Sequence, residues 1–499
     1  MLVLLCLVSV IIILSLWVLI VIKFRPAVRW PVVPKDGEEE VVRAFVPGET
    51  SLLPLAGDLS GNSFFGRERA RKYNSDIYYI WSMWEPILVL GNPSAAQTFF
   101  KDQAKHLRQR DAGMGYVVRC MLGQCLGTQD TEWKRQRRVF DHPFRADNVN
   151  HFLPLMERSV ERWLQDNLSE QSSVTAELST LGLLPFGMFA RFVYGLDMPD
   201  ADIQRLLELH RLHDQVLNAG TSAFAKLFPY EFMKYLPLSN NKQLAEFERQ
   251  WKDFNLRYKK KYQNQLAVLQ HDSQTASCVF SQVLHKQATS NTYLSDEEFF
   301  QTLDEILFTN VEITYGALAW AVYHLAGNPN VQQQLREEIQ GKTIASVHDL
   351  KELQYLDCVV KESARIQPSV SLTIPERTVK DMVLGGYSIP SGTLVSIDTD
   401  TLNHHPQFWD EPDEFKPERF TNKQVDYAFH RFGLGARRCL GYRFADTLTK
   451  LLLAKVVSRY NLHCNPETRP KVKQEGLPFF TPFTSFPHIA FIPVDRHRG

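Results

Sequence analysis

FGLGARRCLG, Phe432 to Gly441, is the stretch from which the rest of this chain can be understood. Read as F-x-x-G-x-R-x-C-x-G, it specifies residue type at half of its positions. With average residue usage, a chance match in a chain this long is on the order of 10⁻⁴. An isolated cysteine in a glycine-rich turn reads best as a buried structural thiol. Cys439, inside so rare a pattern, reads as a cysteine presented for chemistry. The surrounding composition is globular, with 44% apolar and 22% charged residues. Lys+Arg and Asp+Glu are equal at 56 each, so no global field attracts nucleic acid, and no nucleic-acid partner is expected. The seven cysteines are odd in number and scattered, which argues against a disulfide framework and for a reducing compartment. No CxxC pair suggests a zinc finger.

At the other end of the chain, Leu2 to Ile22 is apolar apart from Ser9 and Ser15. As a helix it would span roughly 31 Å, against a bilayer hydrocarbon core of about 30 Å. Lys23, Arg25 and Arg29 follow directly, and no small-x-small cleavage site does. The run therefore reads as a retained signal anchor rather than a cleaved peptide, with the remainder of the chain cytosolic. Residues 1–22 are assigned to this transmembrane anchor, 23–34 to a proline-punctuated linker, and 35–499 to one catalytic unit. The expected location is the endoplasmic reticulum membrane, crossed once.

Between the two ends the texture is mostly helical. Ser295 and Glu298 form a capping-box signature, and a long apolar helix follows to about Ala326, stopped by Gly327-Asn328-Pro329. Val331, Leu335 and Ile339 predict a second helix ending near Gly341. A third runs from about Leu356 to Arg365, before Pro368. LTIPERTVKDMVLGGYSIPSGTLVSI then turns to β-branched runs broken by Gly-Gly, Ile-Pro and Ser-Gly, which predicts short strands. The C-terminal GLPFFTPFTSFPHIAFIPV reads as another turn-and-strand pair. The fold class is mostly α with small β-sheets.

Four further stretches match one pattern in order. Trp133 and Arg137 form W-x-x-x-R, Glu362 and Arg365 form E-x-x-R, Arg377 lies in IPERTVKD, and Phe415–Phe420 reads FKPERF. With the cysteine motif, this order and spacing resemble the cytochromes P-450 of the membrane-anchored, microsomal type, and fungal enzymes of secondary metabolism in particular. The resemblance implies the cytochrome P-450 fold and haem b (iron protoporphyrin IX), with Cys439 as the thiolate ligand of the iron. An electron-rich axial thiolate suits a haem that splits O–O bonds. Gly435 and Gly441 would give the cysteine loop its backbone freedom and close approach, and Phe432 would shield the sulfur from water. Arg437, Trp133, Arg137 and Arg377 would meet the haem propionates, for which arginine is better shaped than lysine. Glu362, Arg365 and Arg419 would form a buried structural network. Lys134, Arg135 and Arg138 read either as a solvated basic face or as a dock for an acidic flavoprotein.

The same resemblance exposes a departure. Where the family writes A/G-G-x-D/E-T-T over the haem, this chain writes Thr309-Asn310-Val311-Glu312-Ile313-Thr314. Ile313 replaces a threonine whose hydroxyl helps deliver protons, and isoleucine donates no hydrogen bond. Thr314 acting through water, Asn310, and a polar group on the substrate are the candidates to take its place, and Glu312 is a candidate proton source. The resemblance places the substrate among Gly113–Gly123, Thr309–Ile313, Ser369–Ile374 and Phe479–Phe486, which suits a mid-sized, partly polar organic molecule. No nucleotide or flavin fingerprint occurs, so electrons would come from a separate NADPH-dependent diflavin reductase, with cytochrome b5 as a second donor. The expected activity is monooxygenation. Oxidative coupling, ring formation or isomerisation without oxygen insertion is the alternative that Ile313 keeps open, and a non-enzymatic membrane haem sensor or carrier ranks behind it.

Overall fold

The computed structural model describes residues 67–82, 85–101, 107–108, 130–220, 239–268, 278–290, 293–421, 427–465, 470–472 and 484–494. Its helices, in chain order, are α1 (Arg67–Tyr73), α2 (Pro93–Lys101), α3 (Asp130–Asp141), α4 (Ala146–Asn167), α5 (Leu183–Tyr194), α6 (Asp200–Gly220) and α7 (Ser239–Val268). They continue with α8 (Val279–Thr289), α9 (Asp296–Ala326), α10 (Pro329–Ile339), α11 (Val347–Glu352), α12 (Gln354–Ile366), α13 (Thr399–Asn403) and α14 (Tyr442–Val457). The strands relevant to the site are β1 (Ile77–Ser82), β2 (Glu85–Leu90), β3 (Leu107–Arg108), β4 (Val174–Ala176), β5 (Glu376–Arg377), β6 (Met382–Leu384), β7 (Tyr387–Ile389), β8 (Leu394–Ile397) and β9 (Tyr460–Cys464). The expected anchor and linker lie outside the described residues. Among those described, no helix is long and apolar enough to cross a membrane.

Helix α9 forms where its caps dictate. Ser295 Oγ accepts from the Glu298 N–H at 3.1 Å, and Glu298 returns the bond by accepting from the Ser295 N–H at 2.8 Å. Three acidic residues in the first turn suit the helix dipole. Gly327 ends the helix, and Pro329, lacking an N–H, opens α10 where no donor is needed. Leu303, Leu307, Leu318, Ala319, Val322 and Leu325 are buried, and α5, α10, α12 and α14 pack around α9. It is therefore a central helix with apolar residues on several faces.

The main sheet has the order β1-β2-β8-β5-β3. β1 and β2 form an antiparallel hairpin, β2 runs parallel to β8 with Leu88 opposite Val395, and β5 lies antiparallel to β8 with Arg377 opposite Leu394. The Gly-Gly expected to break the β-rich stretch is the turn of the β6–β7 hairpin. Gly385 has φ +58°, and a Cβ there would lie 1.9 Å from Ile77 Cδ1, so only glycine fits.

The E-x-x-R pair sits on α12, and its environment explains the residue types. Glu362 and Arg365 are both fully buried and joined by two hydrogen bonds, at 2.7 and 2.8 Å. Arg365 also donates to the carbonyls of Asn403, Pro412 and Glu414, and its guanidinium lies 5.1 Å from the Trp409 ring centre. Arg419, from the FKPERF stretch, donates to Glu362 at 3.1 Å, and the backbone N–H of Lys416 donates to it at 2.9 Å. Three charged groups survive burial because almost every donor and acceptor is used. The network stitches α12 to the segment that leads into the cysteine loop.

Candidate active site

The cysteine loop is shaped by two glycines. Gly433 (φ +76°) and Gly435 (φ +69°) take the left-handed backbone that other residues resist. The chain then folds back so that the Cys439 N–H donates to the Phe432 carbonyl at 2.8 Å. Gly441, by contrast, has ordinary backbone geometry. Its φ is −83°, which any residue adopts, and a Cβ there would meet nothing nearer than Phe144 at 3.9 Å. Its contribution is its N–H, which bonds to the Cys439 sulfur.

Cys439 faces a cavity of about 360 Å³, a size suited to a small organic ligand. Burial pushes its thiol pKa up, while the Gly441 N–H and the charges of Arg137 and Arg438 pull it down. A cation at the sulfur would decide that contest in favour of thiolate. Arg137, Arg437 and Arg438 line the cavity with Trp133, and Phe432 lines it beside the cysteine. Arg437 lies over the Trp133 ring at 4.5 Å, and Arg137 donates to Asp141 at 2.6 Å, one turn along α3. Opposite the cysteine loop, α9 presents Glu305, Ile306, Thr309, Ile313, Thr314 and Ala317, residues at the three- and four-residue spacing of one helical face. The 367–374 segment supplies much of the remaining wall.

The chain matches the Cytochrome P450 family over residues 53–486. It is 31% identical to the cytochrome P450 monooxygenase aclC of Aspergillus oryzae, over 87% of this chain and 88% of that protein. It is likewise 31% identical to the cytochrome P450 monooxygenase asaD of Aspergillus flavus, over 84% and 81%. A cytochrome P450 monooxygenase of Clonostachys rogersoniana, verC, is 28% identical over 84% and 83%. This chain belongs to the cytochrome P450 family.

The family implies a haem, and the residues of this P450 fit one. A thiol lines the cavity together with three guanidiniums and apolar side chains such as Ile313, Val370 and Leu372, a set that suits a flat apolar group bearing carboxylates. His430, buried and also on the cavity wall, has no hydrogen-bond partner for Nε2 among the described residues. Burial lowers its pKa to about 4, so at neutral pH it offers a neutral imidazole. Removing a propionate contact should loosen the cofactor. Arg437→Leu is expected to weaken haem retention about ten- to a hundredfold, from a charge-assisted bond worth about 1.5–3 kcal/mol. The haem-to-protein ratio after gel filtration measures this, with the exposed Arg138 left intact. Retention equal to wild type would remove Arg437 from the site.

Other expected residues lie elsewhere. Arg377 is absent from the cavity wall: it sits on β5 in the main sheet, and its Nη1 donates to the Gly392 carbonyl at 2.6 Å. Glu312 is exposed and also absent from the wall, because it is rotated by about 100° from Ile313 on α9. Thr314 is buried and on the wall. Asn310 lies on α9, with its side chain outside the described residues. Of the expected substrate-lining stretches, Ser369, Val370, Leu372, Thr373 and Ile374 do line the cavity. Gly113–Gly123, Phe479, Phe480 and Phe483 lie outside the described residues. Phe486 is core, 5.0 Å from Trp320 and edge-on to it. Arg135 pairs with Glu298 at the start of α9, so it ties two helices together rather than standing free on a basic face.

Glu305 and His430 are cavity residues that sequence reasoning passed over. Glu305 was findable: it lies four residues before Thr309, and the i,i+4 rule puts both on one face. His430 had no such signal, since a loop residue has no periodicity to read.

Proposed function

We propose that this P450 is a haem-thiolate monooxygenase that oxidises a mid-sized, partly polar organic substrate in fungal secondary metabolism. The observation that carries the reading is Cys439, held in a glycine-turned loop and facing a cavity that Arg137, Arg437 and Arg438 also line. The named relatives are all monooxygenases of fungi. Coupling or isomerisation without oxygen insertion and a non-enzymatic haem sensor are accordingly not favoured. Haem b is the proposed cofactor, with Cys439 as its iron ligand. When bound, the haem supplies oxygen activation, and the thiolate supplies electron density to it. Electrons would arrive from an NADPH-dependent diflavin reductase, with cytochrome b5 as a second donor. Lys134 and Arg138, exposed on α3, are basic groups that such a partner would meet. The apolar run Leu2–Ile22 supports a single-pass anchor in the endoplasmic reticulum membrane, followed by the 23–34 linker and a cytosolic catalytic unit.

The chain's own residues arrange the protons. Ile313 faces the cavity with no proton to give. The Thr309 hydroxyl already donates to the Glu305 carbonyl, one turn back on α9. Thr314, buried on the cavity wall, Asn310 and polar groups that the substrate brings are the proposed routes of delivery. Ile313→Thr should raise the product formed per NADPH consumed several-fold. A fall in product on that change would instead assign delivery to the substrate, with the added hydroxyl disturbing it. The activity itself is tested by comparing metabolites of cells with and without the gene. The accumulated precursor should be lighter than the lost product by one oxygen atom, and a loss of two hydrogens alone would sink the reading.

A further inference from the structure

Away from the cavity, α6 carries His210, His213 and Asp214, and none of them serves the site above. At i, i+3 and i+4 they share one helix face. We propose that these three side chains bind a divalent transition-metal ion of the zinc type, with Asp304 of α9 holding the His213 ring from behind.

The three side chains approach closely enough to share one ion. Asp214 Oδ1 is 3.3 Å from His213 Nδ1, and Asp214 Oδ2 is 3.4 Å from His210 Nε2. One ligand atom from each of the three lies within 4.8 Å of the others. Small side-chain rotations would bring them to the tetrahedral ligand separations of zinc, about 3.3–3.4 Å for bonds of about 2.0–2.1 Å. Two imidazoles and a carboxylate suit this ion better than calcium or magnesium, which take oxygen shells.

The outer shell is also present. His213 Nε2, the nitrogen facing away from the ligand cluster, lies 3.2 Å from Asp304 Oδ1. Ligating histidines almost always present their second ring nitrogen to a carboxylate or carbonyl, which fixes the tautomer and raises basicity. His213 and Asp304 are each about 1% exposed, and their facing atoms are close but not aligned as a hydrogen bond. His210 Nδ1 likewise has no hydrogen-bond partner among the described residues. An apolar collar surrounds them: Phe308 stacks on His210 at 5.5 Å and lies 5.1 Å from His213, and Phe247 meets His213 at 5.5 Å.

A divalent ion held by two neutral imidazoles would balance the carboxylates of Asp214 and Asp304, which both lie against His213. The Asp214 side chain is 37% exposed, which gives the ion an entrance and a water its place as fourth ligand. The bound ion would clamp α6 against α9 one residue before Glu305, which lines the cavity.

The full-length, haem-loaded enzyme, dialysed against a chelator, would be titrated with zinc sulfate and its bound zinc measured after gel filtration. One zinc per chain is expected. The double variant His210→Ala, Asp214→Ala changes the more accessible members and should bind none, with the thiolate spectrum as the check on folding. Asp304→Asn keeps all three ligands and should weaken zinc binding about 10–100-fold. Equal zinc in wild type and double variant would overturn the site. Unchanged affinity in Asp304→Asn would overturn the role given to Asp304, and should that variant fail to fold, the double variant decides alone.

Discussion

Cys439→Ala is expected to abolish the red-shifted Soret band of the reduced, carbon monoxide-treated enzyme, and all turnover with it. The band reports electron density donated by a thiolate through the iron, which alanine cannot supply. The mutation should leave the fold in place. Cys439 faces the cavity, and the loop that carries it is held by its own backbone, through the Cys439 N–H to Phe432 and the two left-handed glycines. The arginines around the cavity also remain, so haem can be present without the band. A haem stain of normal intensity with no red-shifted band is therefore the specific outcome. A normal band in the mutant would mean that another group holds the iron.

Arg365→Leu should be the most damaging change outside the cavity, lowering stability by about 3–5 kcal/mol. It strips Glu362 of both bonds from Arg365 at zero exposure, leaving only Arg419 as its charged partner, and takes a donor from the carbonyls of Asn403 and Pro412. Since whole domains are stable by only about 5–15 kcal/mol, most of the protein should emerge without haem or insoluble. Glu362→Ala should be similar in size, because Arg365 and Arg419 would then share a buried site with no counter-charge. Denaturant midpoints read at the haem band measure both. A loss under 0.5 kcal/mol for Arg365→Leu would show that the network contributes nothing net.

Much of this was legible without coordinates because the signals are local. The Ser295/Glu298 box, the Gly327–Pro329 stop and the Gly-Gly hairpin each depend on residues a few positions apart. The E-x-x-R pair and the FKPERF arginine were legible as motifs, although their joining across more than fifty residues is a tertiary event. The distal wall was read less well. Glu312 was a candidate proton source because it filled a motif position, yet it is exposed and stands outside the cavity wall. Arg377 matched a propionate-binding position, but its guanidinium meets the Gly392 carbonyl beside its own sheet.

What the sequence determined by itself is the identity of the chemistry: a cysteine in a rare loop motif, the helices that frame it, and the missing hydroxyl at Ile313. Residue type and short-range spacing suffice for those. Which side chains face the cavity, and that His213 of α6 meets Asp304 of α9, only the tertiary structure decided. Such contacts join segments about ninety residues apart, and they depend on how helices rotate and pack against one another, which local periodicity does not encode.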